Sequence, residues 1–265
     1  MPRCAHAVFV GDASLLVRCA DAFRAAGHHV ACIASHDPAI LDWARGEGLA
    51  VEPLDGHPRF EGVAFDYLFS VANLRVLPAD LIHRAREMAI NFHDGPLPRY
   101  AGLNAPAWAL MAGEARHGVT WHQMTAQVDR GGILRQSLFD LAPDETALSL
   151  NARCYEAGFE SFRELVEALS RGDLSAQEQP PTQSYFGRHH RPALLGTLDW
   201  SRPASELAAQ VRGLDFGGYA NPLALPKGWL GGEEVLLARA ARALPASRTA
   251  LPGTVIEAAP GRLRV

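Results

Sequence analysis

The chain has 265 residues, of which 48% are hydrophobic and 20% are charged. This balance is typical of a globular protein and excludes a disordered or fibrous chain. The formal net charge of −4 disfavours binding of nucleic acid through the whole surface, and no apolar run is long enough to cross a bilayer.

The cysteines and the first residues bear on the cellular compartment in which we expect the protein. The amino-terminal residues lack the apolar core of a secretory signal, and the four cysteines are scattered without metal-ligand spacing. We therefore expect a cytoplasmic protein with reduced thiols, no metal site and no membrane partner. The cysteines are Cys4, Cys19, Cys32 and Cys154.

The first half of the chain alternates short apolar runs with helical patterns. The predicted elements are strand 7–10, helix 15–26, strand 29–34, helix 37–46, strand 49–51, strand 65–71, helix 78–86 and strand 88–91. Gly27 is a stop signal for the first helix, and Pro38 occupies the favoured first position of the second. This alternation predicts an α/β fold, a Rossmann-like open and mostly parallel sheet with helices on both faces.

The second half adds helices, strands and a small carboxyl-terminal part. The predicted elements are helix 105–112, strand 119–124, strand 133–139, helix 146–170, helix 204–213, strand 234–238 and strand 253–256, with loops at 96–102 and 215–232. A stretch rich in Pro and Gln at 177–183 indicates a boundary.

We therefore predict a large Rossmann-like domain at 1–176, a linker at 177–200 and a small subdomain at 201–265, which resembles the start of an OB-like barrel. The chain ends on the apolar sequence Leu263-Arg264-Val265. Because natural termini more often end in polar residues, we expect a longer polypeptide in which this subdomain continues.

Three polar side chains lie at the ends of predicted strands. Asn91 and His93 follow from strand 88–91, and Asp129 lies in the loop between strands 119–124 and 133–139. An open parallel sheet binds its ligand outside the carboxyl ends of its strands. An amide and an imidazole can hold a developing oxyanion, and a carboxylate can orient the imidazole or accept a proton. The pattern predicts attack of an amine on a carbonyl carbon, although a turn cap or a backbone bond would explain either Asn91 or His93 alone.

Other polar motifs carry weaker signals. Gly11-Asp12 lacks the spaced glycines of a dinucleotide site and predicts a tight turn between strand and helix. Asp129 and the glycines that follow it also suit a plain turn. We interpret His117 and His122 as strand residues. Six other histidines have no partner at useful spacing in the sequence, and we interpret them as surface or linker residues. They are His28, His29, His36, His57, His189 and His190.

Five segments together resemble the core pattern of the N10-formyltetrahydrofolate-dependent formyltransferases, a group that includes methionyl-tRNA and sugar-amine formyltransferases. The segments are 91–93, 98–102, 113–114, 118–124 and 129–133. The resemblance runs from about residue 65 to 136 and is weaker over the amino-terminal strands and 198–200. It implies a one-carbon transferase that moves the formyl group of N10-formyltetrahydrofolate, without a metal, to a primary amine.

The resemblance also implies roles for the three polar residues. Asn91 and a protonated His93 would stabilise the tetrahedral oxyanion, and Asp129 would keep His93 oriented and charged and relay the proton of the amine.

The resemblance places the pterin of the donor along two loops. The implied contacts are Asn73, Leu74, Leu77, Gln127 and Val128. Leu74 and Leu77 would supply apolar walls, while backbone groups near Gln127 and Val128 would bind the pterin edge. The alternative is that both leucines belong only to the hydrophobic core.

The chain departs from the common pattern after the histidine. The family loop is His-x-Ser-Leu-Leu-Pro, whereas residues 93–98 are His-Asp-Gly-Pro-Leu-Pro. With 184–188 and 215–223, this variant is similar to the formylation domains of nonribosomal peptide synthetases, which formylate an aminoacyl group on a phosphopantetheine arm. The resemblance therefore implies antibiotic biosynthesis, with a carrier protein and an adjacent adenylation domain as partners.

Alternative functions remain open from the sequence. The acceptor would otherwise be methionyl-tRNA, an amino sugar nucleotide or a hydroxylamine-bearing ornithine. The 25 basic against 29 acidic residues disfavour tRNA, which requires a basic face. A formyltetrahydrofolate hydrolase would pass the formyl group to water, and a non-catalytic folate-binding module would transfer nothing.

Overall fold

A computed structural model describes residues 4–230, 234–244 and 250–265 of the chain. The chain forms two compact units. The first comprises the residues up to Ala105, Arg116–Asp140 and Asn151–Arg188, and the second comprises Pro106–Ala115, Leu141–Leu150 and His189–Val265. Across the described ranges, none of the helices combines the length and the apolar character that a membrane crossing requires.

Helices and strands alternate through most of the chain. In order they are β1 His6–Val10, α1 Ser14–Ala25, β2 His29–Ser35, α2 Pro38–Gly46, β3 Val51–Pro53, β4 Tyr67–Ser70, α3 Ala79–Ile82, β5 Met88–His93, β6 Ala101–Gly102, α4 Ala105–Met111, β7 Arg116–Gln123, β8 Ile133–Asp140, α5 Ala147–Arg171, β9 Tyr185–Phe186, α6 Ala204–Gly213, β10 Lys227–Leu230, β11 Glu234–Leu237, β12 Glu257–Ala259 and β13 Arg262–Arg264.

A seven-stranded sheet organises the first unit. Its strand order is β3-β2-β1-β4-β5-β7-β8. Neighbours from β3 to β5 pair in parallel, whereas β7 is antiparallel to both β5 and β8. The predicted α/β class with an open, mostly parallel sheet is confirmed. The strand order reverses between β1 and β4, and such sheets bind ligands in the crevice at this switch point, so β5 lies one strand away from it.

Each face of the sheet has its own hydrophobic core, because side chains alternate along a strand. Phe9 of β1 and Phe69 of β4 stack at 4.9 Å between ring centres, and both contact Phe162 of α5. Val8 and Val10 lie on the opposite face, in a buried cluster with α3. Helices on both faces therefore hold the strand ends in fixed positions.

Helix α5 packs closely against β5 and β7. A side chain at Gly158 would collide with the ring of Phe92, so the helix approaches the strand at a glycine. Trp121 of β7 is fully buried, and its Nε1 donates to the carbonyl oxygen of Gly158 and to Ser161 Oγ, each at 3.1 Å. These contacts fix β5, which carries Asn91 and His93, and β7, which carries His122.

His28, predicted to be a surface or linker residue, is buried instead. Its Nδ1 accepts from the amide of Ala5 at 3.3 Å, and its Nε2 lies 2.8 Å from Ser170 Oγ. Burial lowers the pKa of His28. The sequence did not indicate these partners, because Ser170 is far away along the chain.

Some predicted segments of secondary structure differ from the observed ones. The helix predicted at 78–86 ends at Ile82, and the loop predicted at 96–102 contains the short strand β6. The strand predicted at 253–256 is wrong: β12 and β13 pair at 257–259 and 262–264, around the left-handed Gly261. The loop predicted at 215–232 contains β10. The sequence did not indicate this strand, because proline and glycine, present at Pro226 and Gly228, are rare in strands. This strand exists through its antiparallel pairing with β11.

The second unit carries the small carboxyl-terminal part. Leu198, Leu207 and Val211 form a buried apolar cluster there, and the strands described in this unit form two antiparallel pairs. The small strand-containing subdomain is thus confirmed. The domain boundaries predicted at 176 and 200 stay a prediction.

Candidate functional site

The pairing of β5 with β7 creates a polar cluster in the first unit. Asn91 and His93 are two residues apart and therefore share a face of β5. The register places Asn91 opposite His122 and His93 opposite Thr120. Cross-strand neighbours are close enough to interact directly. Asn91 Nδ2 and His122 Nε2 are 3.1 Å apart.

Asp129 joins this cluster from the loop between β7 and β8. Its carboxylate lies 3.3 Å from His122 Nε2 and 3.7 Å from His93 Nδ1, and it accepts a 2.8 Å hydrogen bond from the amide of Gly102. The carboxylate is therefore next to both imidazoles. The predicted residues Asn91, His93 and Asp129 come together, with His122 as the link between the amide and the carboxylate.

The hydrogen bonds of His93 separate the tasks of its two ring nitrogens. Nε2 lies 2.8 Å from the carbonyl oxygen of Tyr100 and donates to it. Nδ1 faces Asp129 at 3.7 Å and Asp94 at 3.9 Å, both beyond hydrogen-bond distance. The ring is thus held through Nε2, and Nδ1 is the nitrogen directed between two carboxylates.

The two aspartates beside His93 have opposite pKa shifts. Burial alone would raise the pKa of Asp129, but the charge of His93, the hydrogen bond and charge of His122 and the amide of Gly102 outweigh it and lower the pKa to about 2. Burial raises the pKa of Asp94, and the carboxylate of Asp129 adds to this effect although His93 opposes it. Asp129 is therefore the carboxylate that the site keeps ionised.

The loop after His93 is fixed by strands β7 and β8. Thr120 Oγ1 donates to the carbonyl oxygen of Gly95 at 2.8 Å and accepts from the amide of Leu97 at 3.2 Å. Gln136 Nε2 donates to the carbonyl oxygen of Leu97 at 2.8 Å and to Thr120 Oγ1 at 3.0 Å. The loop that carries the departure from the family pattern is therefore held by these four hydrogen bonds, of which the two that join Thr120 to Gly95 and Leu97 are buried.

Gly95 allows the imidazole to occupy its position. A Cβ atom at Gly95 would lie 2.7 Å from His93 Nε2 and 3.0 Å from the Cβ of Ala105. Both distances are shorter than van der Waals contact. The absence of a side chain at Gly95 is thus required for the bond between His93 and Tyr100.

The five residues predicted to contact the donor lie in different settings. Asn73 bonds Ser70 Oγ at 3.3 Å, and Ser70 pairs with Asn91 in the sheet. Leu74 is 80% exposed, whereas Leu77 is 3% exposed and belongs to the core cluster near α3.

Gln127 and Val128 lie in the loop before Asp129. The backbone oxygen and nitrogen of Gln127 both bond the hydroxyl of Thr125, at 2.9 and 3.3 Å. Val128 is 40% exposed. The donor contacts of all five residues stay a prediction.

Sequence reasoning missed His122 and Asp94 as members of the cluster. The alternation of β7 puts Thr120 and His122 on one face, but only the register shows that this face meets Asn91. The place of Asp94 immediately after His93 was visible, yet its position next to Asp129 depends on the path of the loop.

Comparisons with known proteins support one family. The sequence profile of the formyl transferase family matches residues 58–166. The chain is 30% identical to the methionyl-tRNA formyltransferase of Parvibaculum lavamentivorans, over 94% of this chain and 84% of that protein. It is 32% identical to the methionyl-tRNA formyltransferase of Anaeromyxobacter dehalogenans, over 77% and 71% of the two chains.

A solved structure has the same fold. It is the N-formyltransferase of Helicobacter canadensis in complex with folinic acid and dTDP-3-aminofucose, which matches with a TM-score of 0.68 at 17% identity, over 87% of this chain and 85% of that one. At this identity the likeness concerns the fold. With the profile match and the two relatives, it leads to one conclusion: the chain belongs to the family of N10-formyltetrahydrofolate-dependent formyltransferases.

Proposed function

We propose that this enzyme transfers the formyl group of N10-formyltetrahydrofolate to the primary amine of an aminoacyl group, and that Asn91, His93 and Asp129 carry out the transfer. The observation that carries the proposal is that Asn91 Nδ2 and the Asp129 carboxylate both approach His122 Nε2, with His93 Nδ1 facing the same carboxylate.

The chemistry needs charge stabilisation and one proton movement. The amine nitrogen forms a bond with the formyl carbon, and the bond from that carbon to N10 of the folate then breaks. The amine loses a proton, and N10 gains one. In the tetrahedral intermediate between these two steps the formyl oxygen carries negative charge, which amide and imidazolium donors stabilise. One such donor lowers the activation barrier by about 3 to 4 kcal/mol.

The hydrogen bonds of His93 support Nδ1 as the nitrogen that serves the reacting groups. Nε2 is bound to the carbonyl oxygen of Tyr100, which holds the ring in place. A protonated His93 has Asp129 as its closest carboxylate, and the low pKa of Asp129 keeps that carboxylate charged. The ionised carboxylate therefore lies where it would balance the charge of an imidazolium during the transfer.

For the donor, we propose contacts along the loops that follow β4 and precede Asp129. Exposed Leu74 and Val128 are suited to cover apolar ring surface. Asn73, next to Ser70 at the end of β4, is a candidate for the polar edge of the pterin. Buried Leu77 would support this loop from below, and Gln127 would act through the turn it forms with Thr125.

For the acceptor, we propose an aminoacyl group on the phosphopantetheine arm of a carrier protein, in nonribosomal peptide biosynthesis in the cytoplasm. The loop sequence at 93–98 and the acidic balance of 29 against 25 basic residues support this choice. Methionyl-tRNA is the second candidate, because both similar relatives are methionyl-tRNA formyltransferases. An amino sugar nucleotide is the third, since the Helicobacter enzyme was solved with one.

A labelled transfer assay distinguishes these proposals. Radiolabelled N10-formyltetrahydrofolate is supplied with aminoacyl-pantetheine on a carrier protein, with methionyl-tRNA, with an amino sugar nucleotide, or with no amine. We expect formyl-aminoacyl product on the carrier. Faster product formation on tRNA or sugar would overturn the acceptor, and fast release of formate without an amine would identify a hydrolase. No transfer and no formate release under any condition would identify a binding module.

A further inference from the structure

Part of the predicted linker lies along the polar cluster. Residues 177–186, termed the strap, are joined to the first unit at both ends. Gln177 and Ile133 exchange backbone hydrogen bonds of 2.7 and 2.8 Å at the start of β8. Strand β9 pairs with β6, which includes Gly102. The strap therefore spans the two loops that surround His93.

Two glutamine side chains of the strap bind the peptide that carries Asp129. Gln179 Nε2 donates to the carbonyl oxygens of Asp129 at 2.9 Å and Gly131 at 2.7 Å. Gln183 Nε2 donates to the same carbonyl oxygen of Asp129 at 3.1 Å. One backbone carbonyl thus accepts hydrogen bonds from two side-chain amides.

The backbone at Asp129 needs such support. Its φ of 54° lies in the left-handed region, which is unfavourable for a residue with a side chain. The orientation of Gln179 fits a holding role, because its Oε1 is buried and accepts no hydrogen bond from any residue the structure describes. Both hydrogen bonds from the Gln179 side chain to the Asp129 loop are donated by Nε2.

The other end of the strap binds the peptide that holds His93. Ser184 Oγ accepts from the amide of Tyr100 at 2.7 Å, and the Ser184 carbonyl oxygen accepts from the amide of Ala101 at 3.0 Å. The carbonyl oxygen of Tyr100 in turn accepts from His93 Nε2. The strap is therefore bonded to the backbone next to both members of the His93–Asp129 pair.

We propose that Gln179 and Gln183 are positioning residues, which hold Asp129 against His93 and His122 and so make the strap part of the active site. The catalytic consequence rests on the proposed function, in which Asp129 orients His93. The positioning itself has an independent reporter, since the amide of Gly102 donates to the Asp129 carboxylate.

The test uses the whole chain with Gln179→Glu and Gln183→Ala, singly and together. Gln179→Glu keeps the size of the side chain but places a carboxylate against the carbonyl oxygens of Asp129 and Gly131. The matched control is Gln177→Ala, which removes an exposed glutamine of the same strap and keeps its backbone pairing with Ile133. Circular dichroism verifies that each variant is folded.

Two readouts are measured. Hydrogen exchange of the Gly102 amide, followed by NMR, is expected to accelerate in the double variant and to stay unchanged in Gln177→Ala. The kcat of formyl transfer is expected to fall about 10- to 100-fold through misplacement of the carboxylate. A strap that acts only through the position of Asp129 leaves KM for the amine little changed.

The outcomes separate the two proposals. A Gly102 amide that exchanges at the original rate in the folded double variant overturns the positioning role, whatever the activity. Faster exchange with an unchanged kcat supports the positioning of Asp129 and instead contradicts the catalytic role that the proposed function gives it. A fall in kcat in Gln177→Ala equal to that in the double variant also overturns the assignment to the two amides.

Discussion

The charge of Asp129 should stabilise the folded protein, and Asp129→Asn tests this. Asparagine has the same shape and keeps an oxygen that can accept from the amide of Gly102. It lacks the charge that faces His93 and His122. We expect the variant to fold but to have a smaller free energy of unfolding than the original chain above pH 4.

The magnitude follows from the pKa of Asp129, which falls from 3.8 to about 2 in the folded protein. At about 1.4 kcal/mol for each pKa unit, this difference corresponds to about 2 kcal/mol of stability. Because the folded-state pKa is depressed, this contribution is fully present above the unfolded value of 3.8. It is lost as the pH falls from there through about 2.

The assay is urea unfolding at pH 5 and pH 3, followed by circular dichroism. We expect the free energy of unfolding of the original chain to exceed that of Asp129→Asn by about 2 kcal/mol at pH 5, and by less at pH 3. Asp94→Asn is the control of opposite sign, because burial raises the pKa of Asp94 and its ionisation costs stability above pH 3.8. Equal stability of Asp129→Asn and the original chain at pH 5 would refute the reasoning.

Three further predictions concern the same cluster. Gly95→Ala should displace the His93 ring and lower kcat about 10- to 100-fold, with an unchanged circular dichroism spectrum; full activity would contradict the close contact. His122→Phe should lower kcat by a similar factor, since Asn91 and Asp129 lose their link, and a normal kcat would show that His122 only fills space. Gln136→Leu should lower the free energy of unfolding, measured by thermal unfolding, by about 1 kcal/mol or more because two hydrogen bonds are lost. Unchanged stability would mean that the remaining hydrogen bonds suffice to hold the loop.

The strands of the seven-stranded sheet were largely accessible from the sequence because local patterns determine them. The helix predicted at 37–46 is observed at Pro38–Gly46, where Asp37 accepts from the amide of Ala39 and Pro38 fills the first helical position. The strand predicted at 88–91 extends to His93, because its last residues pair with Thr120 and Trp121 of a later strand. Pairing partners that are distant in sequence set such ends.

The candidate site was only partly accessible for the same reason. Asn91, His93 and Asp129 were identified from residue types at strand ends. The role of His122 depends on a register between β5 and β7 that no local pattern encodes. The strap was interpreted as a linker because prolines and glutamines at 177–183 resemble one, and its bonds to Asp129 arise from tertiary contacts.

The central claim is that Asn91, His93 and Asp129 form the site of formyl transfer. The most direct test is single-turnover transfer from labelled N10-formyltetrahydrofolate to an aminoacyl-carrier amine, comparing the original chain with Asn91→Ala. We predict transfer by the original chain and a rate about 100- to 1,000-fold lower in the folded variant, as for loss of one oxyanion donor. Transfer by Asn91→Ala at the original rate would contradict the account.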